Sequence, residues 1–454
     1  MFPHDTAPAQ PVISDALRRP INYDHPVPDN VPVPISAAAL VDQLRPQTNV
    51  VVPTANGEPT TIIDALFAQA PGLEGIRIHQ VFGLRSRDYQ LLDPQRLRYV
   101  SYFLSPALRD PFAQGDIDLV PTDLSAMPAL VRALPNVVLV AACSPPDQYG
   151  YVSLGCGANY AATLIGQVPV FLEANPQMPR TPGHHRVHLS NVAGWCEADY
   201  PLITVEPATI TDVDRAIAAH VADRIVDGST LQVGVGAVPD AIAASLTSHR
   251  DLGIHTELFS DGLRTLIECG AATGERKRTG RNLAVTTDAL GSPELLKFLN
   301  DTQAVEFWAV NETNDFTTIA SEPNFVAINA TMQVDLLGQC ASESLGTHYI
   351  SGSGGQSDFM NAARYSPGGQ SFMVTHATAN TPDGPVSRIV AELAPGAVVT
   401  TRKNSMDKVA TEFGVAELQG ASIAARARAL IAIAHPDHRE SLSREARRLG
   451  YTHD

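Results

Sequence analysis

Two tandem α/β domains, each built on an open and mostly parallel sheet, form the fold class this sequence predicts. Three observations carry the prediction. The chain has 454 residues, too many for one small core, so two large domains are the natural division. Short β-branched runs alternate with amphipathic helical patterns, as βα units require. The strand candidates are apolar nearly throughout, which suits parallel strands covered on both faces.

In chain order, the head "MFPHDTAPAQPVISDALRRPINYDHPVPDNVPVP" (1–34) is Pro-rich and reads as an extended surface segment. "TNVVVPTANGEPTTIIDALFAQAPG" reads as strand, Gly loop and a helix from Pro59 to Gln69. "GIRIHQVFG", "IDLVPTD" and "NVVLVAACSPP" supply further strands of a first domain, 35–210. A second cycle, 211–454, opens with "TDVDRAIAAHVADRIVDGS". There Val213, Ile217, Val221 and Ile225 recur at helical spacing, with Thr211 as N-cap and Gly228 as stop. "STLQVGVGAVPDAIAASL" and "DLGIHTELFSDGLRTLIECG" each read as strand, loop and helix. "RNLAVTTDAL", "AVEFWAVN" and "FVAINATMQVDLLG" add strands. From Ser422 onward the pattern is helix, a break at Pro436, and a second helix.

Composition excludes several function classes. Hydrophobic content of 44% with 18% charged residues describes an ordinary globular chain. No apolar run is long enough to span a membrane. The start has no apolar signal-peptide core, so the chain reads as cytoplasmic. A net charge of −16 argues against a general nucleic-acid binder, while leaving room for an anionic ligand held by backbone amides and a few arginines. The five cysteines, Cys143, Cys156, Cys196, Cys269 and Cys340, form no CxxC pair and read as reduced thiols. No metal signature such as HExxH is present, so no metal site is expected.

Several stretches bear chemistry. "VGVGAVPDA" is a Gly-rich strand-to-helix turn with Gly234 and Gly236, able to aim N–H groups at an anion. Pro239 stands where a dinucleotide fingerprint wants glycine, and a tight packing turn is the competing reading. In "YISGSGGQSDF", Gly352, Gly354 and Gly355 allow close backbone approach and an anion nest or oxyanion hole. Asn329, near the end of an apolar run, must find partners for its amide, as a local cap or as a ligand-orienting group. In "GIHTELFSDG", Ser260 or Asp261 caps the helix that Gly270 ends. Glu257 precedes that cap, at the carboxyl end of a strand, where open α/β sheets gather ligands and catalytic groups. A glutamate there can act as base or covalent nucleophile.

Taken in order, "GVGAVPDAI", "LGIHTELFSDG", "SEPNFVAINATMQVDLLGQ", "ISGSGGQSDF", "SRIVAELAPGAVVTT", "VATEFGVAELQG" and "ALIAIAHPDHRE" closely resemble the acetyl-CoA hydrolase/transferase family. The 4-hydroxybutyrate and butyrate:acetate CoA-transferases are the most similar branch. "GEPTTIIDAL", "SPPDQYGYVSLG" and "NPQMPRTPG" extend the resemblance toward the start, from about Ser36 to Leu449. It implies two α/β domains of the CoA-transferase (NagB/RpiA-like) fold, with the active site in the cleft between them and a homodimeric assembly. It implies CoA or acyl-CoA and small carboxylates as substrates, without a metal. Glu257 falls on the family's nucleophilic glutamate. Gly234, Val235, Gly236, Met332, Gly354 and Gly355 fall at the CoA, Gly352 at the developing oxyanion, and Asn329 beside the glutamate or thioester.

The resemblance also has gaps. "YFLSPALRD", "GHHRVHLSNV", "VTHATA" and "NSMDKVATEFG" depart from the usual family stretches and read as pocket changes around the acyl group. His184, His185 and His376 can contact a polar acyl chain or be solvated or core histidines. "ERKRTGR" (275–281) can touch CoA phosphates or be an exposed charged loop. Three activities stay open: a CoA-transferase, an acyl-CoA hydrolase using the same glutamate, and a non-catalytic CoA-binding protein.

Overall fold

A computed structural model describes residues 31–453 of the chain. Most of the Pro-rich head thus lies outside the described residues. The described chain gathers into two compact units. One takes residues up to Val205 and adds Val285–Thr313; the other takes Glu206–Ala284 and Asn314 onward. The segment Val285–Thr313 therefore packs with the half of the chain that precedes it by some eighty residues.

In the first unit a seven-stranded sheet is formed by β1 (Asn49–Val51), β2 (Ile76–Gln80), β3 (Leu97–Ser101), β4 (Asp118–Leu119), β5 (Val137–Cys143), β6 (Val170–Ala174) and β7 (Gly194–Glu197). Their order is β4-β3-β2-β1-β5-β6-β7, and every pairing is parallel. Val50 of β1 is fully buried between Ile78 and Val138 in register, which explains why β1 carries no polar alternation. Helix α1 (Thr60–Gln69) follows β1 and buries Ile62, Ile63 and Leu66. Its bounds agree with the expectation from sequence. Strands β3, β6 and β7 were not anticipated.

The second unit carries a six-stranded sheet: β8 (Thr230–Val233), β9 (Gly253–Ile254), β10 (Phe325–Ala330), β11 (Gln370–Val374), β12 (Lys408–Thr411) and β13 (Gly414–Glu417). The order is β9-β8-β10-β11-β12-β13, parallel except for the final hairpin. Its helices include α2 (Asp212–Ala222), α3 (Ala237–Ser245), α4 (Asp261–Glu268), α5 (Phe316–Ser321), α6 (Gln356–Ala363), α7 (Ile423–Ala432) and α8 (Pro436–Arg448). Thr211 and Asp214 start α2 with a reciprocal capping box, as Thr211 predicted. Phe325, Ala327, Phe359, Met373, Val409 and Leu430 form part of one buried cluster. Each of these side chains other than the small Ala327 contributes about 1.5–3 kcal/mol on leaving water.

Both units are therefore α/β with a large parallel sheet, the predicted fold class. Strand order reverses direction between β1 and β5 in the first sheet, and between β8 and β10 in the second. Such reversals open a crevice at the carboxyl ends of the strands.

Candidate active site

The second unit brings three sequence-selected positions to the carboxyl ends of adjacent strands. Gly234 directly follows β8, Glu257 lies three residues past β9, and Asn329 is the penultimate residue of β10. The β8–β10 pair ties Gly234 down, its N–H donating to Ile328 O at 3.0 Å. Gly236 then takes φ 122° and ψ 178°, as N-cap of α3. That backbone conformation belongs essentially to glycine. Val235 between them is 55% exposed, an open apolar side chain beside exposed helix-start amides.

Asn329 is buried and pairs reciprocally with Gln232 of β8. Asn329 Nδ2 donates to Gln232 Oε1 at 3.0 Å, and Gln232 Nε2 donates back to Asn329 Oδ1 at 3.4 Å. This satisfies a buried amide without a ligand. The expected strand through Glu257 is broken instead of continuous. After β9, His255 N–H still donates to Leu231 O, but Thr256 turns its hydroxyl to Val233 O and Leu258 O. Glu257 consequently sits half-buried in a bend.

Its partner is a residue that the sequence did not single out. Asn314 Nδ2 donates to Glu257 Oε2 at 3.0 Å and to Asp358 Oδ2 at 3.2 Å. Asn314 is almost fully buried, so one amide holds two carboxylates in place. Gly355 is the N-cap of α6, and a β-carbon on it would overlap Glu257 Oε2 and Asn314 Nδ2. Only glycine lets the carboxylate rest against the start of this helix. A helix start favours negative charge through its unpaired N–H groups and dipole. Gly352, Gly354 and Gly355 thus share one loop, with Gly354 at φ 54°. Met332 is half-buried past β10, its N–H donating to Ala341 O at 3.2 Å.

Ser260 occupies the N-cap position of α4, yet its hydroxyl makes no side-chain cap bond there. Gly262 instead lets α4 approach α3, since a β-carbon would lie 2.9 Å from Ala243 Cβ. Burial, aided by nearby Asp261, pushes the Asp240 carboxyl up to about 6. Among the described residues, no group of three or more His, Cys, Asp and Glu side chains is arranged to hold a metal ion.

Comparison with known proteins addresses the family. The model of the acetyl-CoA hydrolase/transferase N-terminal domain matches residues 34–213, and that of the C-terminal domain matches 291–446. The chain belongs to this family. A succinyl-CoA:cyclohexane-1-carboxylate CoA transferase of Geobacter metallireducens is 39% identical, over 94% of this chain and 97% of that protein. A 4-hydroxybutyrate coenzyme A transferase of Clostridium kluyveri is 37% identical, over 90% and 96%. The crystal structure of RipA from Yersinia pestis superposes with a TM-score of 0.86 at 31% identity, covering 92% and 98%.

In this acetyl-CoA hydrolase/transferase family member, the histidines weighed as acyl contacts already have protein partners. His184 stacks on Trp308 with ring centroids 5.1 Å apart, and its Nδ1 lies 3.0 Å from Glu312 Oε2. His185 is fully buried between Thr181 Oγ1 and Phe307 O, and burial depresses it to about 4. His376 Nε2 is 2.7 Å from Asp214 Oδ1. Burial opposes ionisation of Asp214, but bonds from Thr211 and His376 hold its carboxyl below the usual range. The stretch 275–281 is mostly exposed, as a charged loop would be, with one residue turned inward. Lys277 is buried with Nζ donating to Ile254 O and Leu283 O, and Arg276 pairs with Asp251.

Proposed function

We propose that the chain is a CoA-transferase that moves CoA from an acyl-CoA to a small carboxylic acid. Glu257 is the covalent nucleophile of a ping-pong cycle. Its carboxylate attacks the thioester carbonyl, the C–S bond breaks, and CoA leaves as a thiolate with an acyl-glutamyl anhydride behind. The thiolate attacks the glutamyl carbonyl and releases the donor acid, leaving a glutamyl-CoA thioester. An incoming carboxylate runs both steps in reverse. One observation carries this reading: the Glu257 carboxylate is fixed by Asn314 against the side-chain-free start of α6. Preorganised donors of that kind stabilise charge developing on an oxyanion without reorganisation.

In this reading Gly352 serves the oxyanion, and Gly234, Val235, Gly236, Met332, Gly354 and Gly355 adjoin CoA. Asn329 orients the thioester through its pairing with Gln232. The expected setting is a cytoplasmic homodimer, which light scattering of the purified chain tests for oligomeric state. For the chemistry, wild type and Glu257→Gln are incubated with acyl-CoA and then borohydride. Reduction and inactivation mapped by mass spectrometry to Glu257, absent in the variant, is the expected outcome; a variant with full transfer activity refutes the proposal. Free CoA release equally fast without a carboxylate acceptor would reassign the enzyme as a hydrolase.

A further inference from the structure

Asn314 faces more negative charge than a clamp for one glutamate needs. A side-chain amide has two N–H donors, and Nδ2 of Asn314 donates to Glu257 Oε2 at 3.0 Å and to Asp358 Oδ2 at 3.2 Å. The two carboxylate oxygens can therefore be no farther apart than those two bonds laid end to end. Like charges that close repel. A neutral acceptor in place of Asp358 would satisfy the amide without the repulsion. The second carboxylate calls for a reason beyond hydrogen bonding.

Both partners of this contact stand on fixed backbone. Asn314 is 2% exposed and directly precedes Asp315, whose carboxylate caps α5 by accepting from Thr318 N–H at 2.6 Å. Asp358 lies in the first turn of α6, where the helix start favours its ionised form. Phe359, Met360, Ala362 and Ala363 anchor that helix, and all four are buried. The preceding polar side chains of the turn are engaged elsewhere. Gln356 Nε2 donates to Thr401 Oγ1 at 2.8 Å, and Ser357 Oγ donates to Thr400 O at 3.1 Å. Asp358 turns instead to Asn314.

The transfer moves charge in a way that Asp358 can bias. In the first half-reaction ionised Glu257 and acyl-CoA become glutamyl-CoA and a free carboxylate. One C–S bond breaks, another forms, no proton is taken up, and the negative charge departs with the donor acid. The starting enzyme thus holds two neighbouring carboxylates and the CoA-loaded enzyme holds one. Repulsion in the starting state is relieved by loading, so Asp358 pulls the equilibrium toward the thioester. While Glu257 is acylated, Asp358 still accepts from Asn314 and keeps that amide in place for the returning carboxylate.

We infer that Asp358 is a positioning residue of the transfer, which keeps Asn314 aimed at Glu257 and by its own charge favours the CoA-loaded glutamate. This deepens the CoA-transferase reading and rests on it. The test equilibrates wild type, Asp358→Asn, Asp358→Glu and Asp358→Ala with one fixed ratio of an acyl-CoA to its free acid. Mass spectrometry then reads the share of protein carrying CoA on Glu257. Asp358→Asn keeps an acceptor for Asn314 and removes the charge, so its ratio of loaded to free enzyme falls about tenfold, the scale of one close like-charge contact. Asp358→Glu restores the charge and stays near wild type. Asp358→Ala shifts the ratio as Asp358→Asn does, and its kcat falls further because Asn314 has lost its acceptor. Thermal melting identifies any variant that fails to fold; where Asp358→Asn melts early, Asp358→Ala decides on the charge. A change in packing alone would lower rates and leave the loaded share where it was. Equal loading in wild type and the charge-free variants overturns the inference, as does an equal fall in Asp358→Asn and Asp358→Glu. If wild type carries no CoA on Glu257, the CoA-transferase reading fails, and this inference fails with it.

Discussion

Gly355 sets the tolerance of the site at the scale of single residues. Its φ of −97° is open to any L-residue, so only the overlap with Glu257 and Asn314 forbids a side chain. Gly355→Ala should fold normally but displace the carboxylate. We expect kcat/KM to fall at least about 100-fold, as misplaced catalytic groups commonly do, with thermal melting nearly unchanged. Asn314→Asp replaces the shared donor with a third carboxylate. It should lower kcat strongly while leaving the KM for acyl-CoA near wild type, which steady-state kinetics will read. Glu257 could be singled out from sequence because its helix-cap neighbours explained themselves and it did not. Asn314 could not. It lies in a polar run, "NETND", and meets Glu257 only because the fold closes 57 residues of chain. Asp358 was hidden in the same way, in the first turn of α6 just past the glycines that drew the attention.

At the scale of elements, the helices were the most legible. α2, α7 and α8 carry start signals with a direct physical effect, such as the Thr211–Asp214 box and the Ser422 hydroxyl accepting from Ala425 N–H. Thr211→Ala should cost about 1 kcal/mol, the usual worth of an N-cap, measurable as a lower urea midpoint. The missed strands β3, β6, β7, β11, β12 and β13 are each five residues or fewer. They show too few residues for a period to emerge, and pairing with distant partners decides them. Gly236 marks the opposite case, where local backbone alone is decisive. No atom lies within 4 Å of a β-carbon built there, yet its φ and ψ exclude other residues. Gly236→Ala should destabilise the chain by about 1–3 kcal/mol through backbone strain, and a denaturant titration will measure it.

At the scale of the whole molecule, one buried acid gives stability a pH dependence. Asp288 is nearly inaccessible; its Oδ1 accepts from Thr54 Oγ1 at 2.5 Å and Asn159 Nδ2 at 2.9 Å. Burial, only partly offset by those bonds, pushes its carboxyl up to about 7. Between an unfolded value near 4 and this folded value, the native state keeps a proton that the unfolded state has lost. Stability therefore falls as pH rises through that window, and the loss is complete above it. Asp288→Asn keeps the acceptor and removes the ionisation. It should match wild type at pH 4 and exceed it at pH 8, by an upper limit of about 4 kcal/mol. Parallel melting curves of both proteins across that range check it; equal slopes would refute it.

Thr54 lies three residues beyond the carboxyl end of β1, at the reversal of strand order in the first sheet. Sheets of this kind ordinarily lodge a small molecule there. Here a stretch of the same polypeptide has moved in, bringing Asp288 as its anchoring group. A tethered occupant holds its place at an effective concentration that few dissolved compounds reach. The first sheet is thus already liganded by its own chain.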